Sequence, residues 1–131
     1  MVAVQDAHVL LIDDDADVAE STAGVLRSAG LGVHAAPGVE YARQLCDVLV
    51  FDAVVLDHHL MEVDSRDFLA ETPGTGLAVI VSAAVPDDLA DVKRRLGDRV
   101  FAVKSKPCSP PALIATVEAA IAETRRRRQP D

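Results

Sequence analysis

The sequence predicts an α/β fold in which five parallel strands alternate with five helices in a doubly wound sheet. The first observation is a set of short apolar runs, such as 51–57, each ending in a polar or charged residue. Such runs are typical of strands buried on both faces of a parallel sheet. The second observation is that helical patterns separate these runs, as strand–helix–strand units require. The third is that no repeat or low-complexity segment interrupts the alternation.

The first half of the chain predicts two strand–helix pairs. An apolar run at His8–Ile12 precedes three aspartates, and Asp15 can cap the helix that follows. Gly30 is expected to end this helix, whose predicted inner face consists of Val18, Thr22, Val25 and Leu26. Pro37-Gly38 then marks the turn before the second helix. The predicted bounds are strand 8–12, helix 16–29, strand 32–36 and helix 39–49.

The second half adds three strands and three helices. A polar loop is predicted to run from the third strand through Ser65, and Pro86 is predicted to open the fourth helix. Ser109 is the predicted N-cap of the last helix, with Pro110 in its first position and Leu113, Val117 and Ile121 on its inner face. The predicted bounds are strand 51–57, helix 66–71, strand 77–82, helix 86–96 and strand 99–105.

Length and charge restrict the function. The 131 residues predict a single domain over 1–131, with a core of about 8–124 and a basic tail at 125–131. The arginines of this tail, 125–128, are interpreted as a charged, frayed helix end. A formal charge of −8 argues against direct binding to nucleic acid or an anionic membrane. Because no signal peptide or membrane span of ~20 residues is evident, we expect a cytoplasmic protein.

The sequence context of the cysteines and histidines does not indicate a disulfide or a metal site. Cys46 and Cys108 are expected to be free thiols, since a chain of this size does not need a disulfide. His58 and His59 are interpreted as solvated loop residues, because no metal-ligand spacing joins them to a cysteine. The remaining histidines, which carry no functional signal in the sequence, are His8 and His34.

The strand ends carry the residues that predict chemistry. Parallel strands deliver their carboxyl ends to one edge of the sheet, where such folds bind ligands. The residues expected there are Asp13, Asp14, Asp57, Ser82 and Lys106. Carboxylates gathered in a small volume are unfavourable unless a cation lies among them. The set suits phosphoryl transfer to an aspartate, with Mg²⁺, a lysine and a hydroxyl around the phosphoryl oxygens.

These motifs resemble the receiver domain of two-component response regulators. The resemblance covers about 8–124 and rests on the acidic run Asp13-Asp14-Asp15, Asp57, the step Ser82-Ala83 and Lys106-Pro107, in that order. It implies a flavodoxin-like fold with strand order 2-1-3-4-5, in a stand-alone, chemotaxis-receiver-like protein. Lys104 competes with Lys106 for the phosphate-binding role, but Lys-Pro before a helix cap matches the family and favours Lys106.

The resemblance also implies roles and partners. Asp57 would accept a phosphoryl group from a sensor histidine kinase or a phosphotransfer protein. Mg²⁺ would be bound by Asp14, Asp57 and the backbone carbonyl of His59, with Asp13 assisting through water. Lys106 and Ser82 would contact the phosphoryl group. The domain would act on a downstream protein without being an enzyme in its own right, and a homodimer is compatible with this role.

Three positions depart from the family pattern, namely Met61, Ser65 and Val103. Val103 replaces an aromatic switch residue, and Phe101 is expected on the same strand face but further from the site. We therefore expect phosphorylation to act mainly on loop 83–86. Two alternatives remain at this point: an interaction module that works without phosphorylation, and a small phosphatase using the Asp13-x-Asp15 motif.

Overall fold

The computed structural model describes residues 6–57, 62–82 and 89–130, apart from the side chains of 62 and 63. Within these ranges five strands and five helices alternate along the chain. The strands are β1 (His8–Ile12), β2 (Gly32–Ala36), β3 (Ala53–Asp57), β4 (Leu77–Ser82) and β5 (Val100–Ser105). The helices are α1 (Ala16–Ser28), α2 (Val39–Val48), α3 (Glu62–Glu71), α4 (Leu89–Leu96) and α5 (Pro110–Arg128). All strand pairs are parallel and the order is β2-β1-β3-β4-β5, which confirms the predicted fold and strand order.

The sheet divides the core into two layers. Alternate residues of each strand point to opposite faces, so Val9 and Leu11 pack with α1 and α5, whereas Leu10 and Ile12 pack with α2, α3 and α4. Every residue of β3 is buried. A strand covered on both faces has little freedom to move, and the residue at its end is therefore held in a fixed position.

Helix α1 begins as predicted but packs through other residues. The Asp15 side chain accepts hydrogen bonds from the backbone N–H groups of Asp17 and Val18, which confirms the N-cap. The residues of α1 buried against the sheet are Ala19, Ala23 and Leu26, whereas Val18 is exposed. Of the predicted inner face only Leu26 is fully buried, because the small alanines let the helix approach the sheet closely.

Helix α3 begins earlier than the sequence suggested. The prediction of a polar loop through Ser65 and a helix over 66–71 is wrong, because α3 starts at Glu62. Ser65, Phe68 and Leu69 are buried at helical spacing on one face, and this burial draws the acidic first turn into the helix. The Ser65 hydroxyl is buried, and no hydrogen-bond partner for it lies within the part of the chain that the structure describes.

A β-bulge in β5 corrects the expected direction of Phe101. The register pairs Ala78 with Val100 but Val79 with Ala102, so Phe101 is an extra residue on the β5 side. Phe101 consequently packs against the layer of α1 and α5, and Val103 against the layer of α2, α3 and α4. The prediction that these two residues share a face is therefore wrong, since it assumed uninterrupted alternation.

Helix α5 begins as predicted, but its basic end is not frayed. Ser109 caps it through the backbone N–H of Ala112, and its buried residues include Leu113, Val117 and Ile121, as expected. The four arginines predicted as a frayed end and basic tail belong to its last turn. Two of them, Arg125 and Arg128, form ion pairs with the carboxylate of Asp52. The expectation of a frayed end is wrong, because these ion pairs fasten the helix end to the start of β3.

The remaining predictions from the sequence concern the cysteines, membrane spans and two loops. Cys46 and Cys108 are free thiols, as predicted. Among the described residues, no helix is both long enough and apolar enough to span a membrane. The predictions for His58, His59, Met61 and loop 83–86, and the opening of the fourth helix at Pro86, lie outside the described residues.

Candidate functional site at the carboxyl edge of the sheet

Three neighbouring strands deliver polar side chains to the same edge. Asp57 is the last residue of β3 and Ser82 is the last residue of β4, whereas Asp13 directly follows β1. The backbone N–H of Asp13 donates to the carbonyl of Ala36 at 3.0 Å, which extends the strand ladder by one residue and orients Asp13. All three side chains are at least nine-tenths buried. The expected gathering of strand-end residues is thus present.

The carboxylates form one cluster. One oxygen from each of Asp13, Asp14 and Asp57 lies within 4.8 Å of the other two. Asp13 and Asp57 are buried, whereas Asp14 is exposed and opens the cluster to water. Because Mg²⁺ prefers a few carboxylate oxygens and retains several of its waters, this half-open set of oxygens fits that ion.

The cluster carries more negative charge than its surroundings balance. Burial raises the pKa of Asp13, and a hydrogen bond and charge repulsion from Asp57 raise it further. The backbone N–H of Asp15, which donates to Asp13 Oδ1 at 2.9 Å, and the charge of Lys106 act in the opposite direction. The pKa remains raised, so ionising all three carboxylates is unfavourable without a further cation.

Lys106 places a positive charge next to the cluster. Its Nζ lies 3.1 Å from Asp57 Oδ2, and its side chain is about one-quarter exposed. The Lys106 backbone N–H donates to the carbonyl of Ser82 at 2.6 Å, and the Lys106–Pro107 peptide bond is cis. Lys104, its competitor in the sequence, lines a groove with Leu89 and Phe101 between β5 and α5.

The structure therefore brings together most of the predicted site. Asp13, Asp14 and Asp57 meet in one cluster, Lys106 contacts Asp57, and Ser82 ends the strand next to Asp57. His59 lies outside the described residues. Asp15, part of the sequence motif, instead caps α1.

A second buried carboxylate at the other end of β3 was missed by the sequence reasoning. Asp52 is 8% exposed and accepts hydrogen bonds from Arg128 at 2.8 Å and from the backbone N–H of His8 at 3.0 Å. Arg125 lies 3.5 Å from the same carboxylate. The available signal was an acid immediately before an apolar strand, together with arginines spaced three apart on a helix, but pairing them required the tertiary fold.

Comparison with known proteins identifies one related sequence and many related folds. A curated response regulator receiver protein of Anaeromyxobacter sp. (strain Fw109-5) is 31% identical over 109 residues, which are 80% of this chain and 44% of that protein. The chain thus spans less than half the length of this relative. No family model matches the sequence.

Solved structures of the same architecture agree in the fold. A CheY-like response regulator receiver domain protein from Methanospirillum hungatei JF-1 has a TM-score of 0.78 at 18% identity, covering 92% of this chain and 98% of that one. The chemotaxis protein CheY4 of Vibrio cholerae has a TM-score of 0.74 at 18% identity, covering 87% and 98%. NtrX from Brucella abortus has a TM-score of 0.80 at 22% identity, covering 93% and 28%. At these identities the likeness establishes the fold alone.

Proposed function

We propose, from the premise that the chain is a receiver domain of the response-regulator type, that it is the phosphoacceptor of a two-component or phosphorelay system. The observation that carries the proposal is the meeting of Asp13, Asp14 and Asp57 within 4.8 Å, with Lys106 Nζ at 3.1 Å from Asp57. A structural role alone does not account for three aspartates in so small a volume, because clustered carboxylates raise one another's energy.

Asp57 is the proposed nucleophile. A carboxylate oxygen of Asp57 forms a bond to phosphorus while the bond from phosphorus to the imidazole nitrogen of a phosphohistidine breaks, and the imidazole keeps the electron pair of that bond. Asp57 suits this role because β3 is buried along its whole length and fixes the direction of attack. The proposed donor is a sensor histidine kinase or a phosphotransfer protein.

The neighbouring residues would stabilise the charge that develops. Asp14, Asp57 and the backbone carbonyl of His59 would hold Mg²⁺, with Asp13 reaching it through water. When bound, the ion would neutralise phosphoryl oxygens and the surplus charge of the cluster. Lys106 would exchange its ion pair with Asp57 for one with the phosphoryl group, and the Ser82 hydroxyl would donate to another phosphoryl oxygen.

The phosphorylated domain would signal through protein contacts rather than catalyse a reaction on a separate substrate. The phosphatase alternative rests on the Asp13-x-Asp15 motif, so the Asp15 carboxylate would have to be available to the site. That carboxylate instead accepts the N–H groups of Asp17 and Val18 at 3.0 and 3.1 Å, a capping role that stabilises α1. The observed geometry therefore favours a switch over an Asp-nucleophile phosphatase.

Incubation with acetyl phosphate and Mg²⁺, followed by intact mass measurement, tests the proposal. The wild type should gain the mass of one phosphoryl group, and chelation of Mg²⁺ should prevent the gain. Asp57→Asn should remain unlabelled, whereas Glu20→Gln, an exposed acid on α1 outside the cluster, should label normally. If the wild type stays unlabelled and also fails to bind beryllofluoride, the interaction module that works without phosphorylation becomes the better interpretation.

A further inference from the structure

We infer that His8 and His34 form a second cation site, selective for a divalent transition-metal ion such as Zn²⁺, at the β1–β2 edge of the sheet. The two imidazole rings have centroids 5.8 Å apart and are inclined by 39°. Both side chains are half-buried, so they are held in place yet remain accessible from solvent. Imidazole nitrogen is a preferred ligand of zinc, copper and nickel.

The strand register explains why the two rings meet. His8 lies opposite Gly32, and Leu10 lies opposite His34, so the histidines are diagonal neighbours on one face of the sheet. Gly32 makes room for the His8 ring, because a Cβ built at Gly32 would lie 2.9 Å from His8 Nδ1. On its other side, His34 meets the ring of Phe51 edge-on at 5.7 Å, which restrains its orientation.

The nitrogen atoms limit how a metal could be bound. His8 Nδ1 is buried against the sheet and has no hydrogen-bond partner among the described residues, so Nε2 is the nitrogen that His8 can offer to an ion. With zinc–nitrogen bonds of about 2.0–2.1 Å, two imidazoles at a tetrahedral angle have centroids roughly 5 Å apart. The observed centroid separation of 5.8 Å is close to this value.

The pair should discriminate between metals. Among the described residues, the set of three or more potential ligands that lies close enough to share an ion is Asp13, Asp14 and Asp57, so water would complete the coordination at the histidines. Two imidazoles and water suit Zn²⁺ and Ni²⁺ but not Mg²⁺, which prefers oxygen. The aspartate cluster and the histidine pair are therefore separable by the choice of ion.

Calorimetric titration with Zn²⁺, in excess Mg²⁺ to occupy the aspartate cluster, tests the inference. Each of His8→Gln and His34→Gln should weaken Zn²⁺ binding by at least about tenfold, since loss of a direct ligand should cost no less than loss of its supporting partner. The variant His58→Gln, at a histidine that belongs to neither proposed site, is the matched control and should bind as the wild type does. Wild-type affinity in both single variants, or a loss confined to the control, would overturn the inference.

A second measurement covers the case in which a substituted chain does not fold. Adding Ni²⁺ to the wild type in excess Mg²⁺ should selectively broaden the imidazole NMR signals of His8 and His34. Broadening only at His58 and His59, or at none of the histidines, would refute the pair as the site. Neither measurement depends on phosphorylation of Asp57, so failure here is distinguishable from failure of the proposed function.

Discussion

The two ends of β3 carry buried aspartates in opposite electrostatic surroundings. Asp52, directly before the strand, accepts hydrogen bonds from Arg128 and the His8 backbone, with Arg125 at 3.5 Å. Asp57, the last residue of the strand, has Lys106 at 3.1 Å but shares its space with two further carboxylates. Positive charge balances the first carboxylate within the chain, whereas the second lies in a local surplus of negative charge.

This difference in surrounding charge indicates a structural role for Asp52 and a functional role for Asp57. A buried carboxylate that is paired with guanidinium groups of the same chain stabilises the fold and requires no external cation. A buried carboxylate among other acids is unfavourable until an external cation or a chemical change relieves the repulsion. The carboxyl edge of the sheet thus has the surplus negative charge on which the proposed function depends, and the amino edge holds α5 in place.

The largest expected effect comes from exchanging the two aspartates for asparagine. Asp57→Asn should abolish labelling by acetyl phosphate and leave the free energy of unfolding equal or higher, because it removes a charge from a repelling cluster. Asp52→Asn should keep the labelling and lower the free energy of unfolding by about 2 kcal/mol, since two arginines lose their anion. Intact mass and urea titration measure both quantities. If a folded Asp52→Asn variant lost the labelling, the two aspartates would not have the separate roles that the comparison gives them.

The second-largest effect is expected from removing Asp14, the exposed acid of the cluster, and it concerns metal binding. Asp14→Ala should weaken Mg²⁺ binding by at least about tenfold, as expected for a direct ligand. Without metal it should raise the free energy of unfolding slightly, by less than about 1 kcal/mol, because one repelling charge at a solvent-exposed position is lost. Calorimetry and urea titration in a chelator test this. Unchanged Mg²⁺ affinity would remove Asp14 from the site.

Removing a cation from the amino edge should have a smaller effect. Arg128 donates to Asp52, to the Phe51 carbonyl at 2.7 Å and to the Gly74 carbonyl at 3.0 Å. Arg128→Ala should therefore lower the free energy of unfolding by about 1 kcal/mol. Arg126→Ala is the matched control on the same helical turn, because the exposed side chain of Arg126 contacts Glu123 and should contribute little. An equal loss in the free energy of unfolding of the two variants would show that contact with Asp52 does not make Arg128 more important for stability than Arg126.

Sequence periodicity predicted the parts of the fold that repeat a local pattern. The apolar runs placed all five strands, and Asp15 and Ser109 placed two helix starts, because caps and burial act over a few residues. The aspartate cluster followed from the rule that parallel strands end at the same edge. These inferences did not require knowledge of which distant residues touch.

The features that escaped prediction depend on register or on distant contacts. Strict alternation along β5 could not reveal the bulge at Phe101, which appears only in the pairing with β4. The acidic first turn of α3 resembled a loop until the burial of Ser65 and Phe68 was known. Asp52 and Arg128 are separated by 76 residues, and no local pattern connects them.

The smallest expected effect is a difference in pH dependence between the two edges. The pKa of Asp13 is raised above its ordinary value of 3.8, chiefly by burial, so the folded chain holds this proton more tightly than the unfolded chain. The stability that Asp13 contributes is therefore present below pH 3.8 and is lost as the pH rises through the raised value. Hydrogen bonds from Arg126, and then from Arg127, lower the pKa of Glu123 from 4.5 to about 2. The stability from Glu123 is thus present above pH 4.5 and is lost as the pH falls towards 2.

Two variants should consequently diverge from the wild type in opposite directions. In a chelator, Asp13→Asn should gain stability relative to the wild type as the pH rises from 3 to 7. Glu123→Gln should lose stability relative to the wild type over the same range, by a small amount because the arginines that pair with Glu123 are exposed. Urea titrations at several pH values measure both differences, and adding Mg²⁺ should reduce only the first. If both differences had the same sign, the carboxyl edge would not hold the surplus negative charge that the comparison assigns to it.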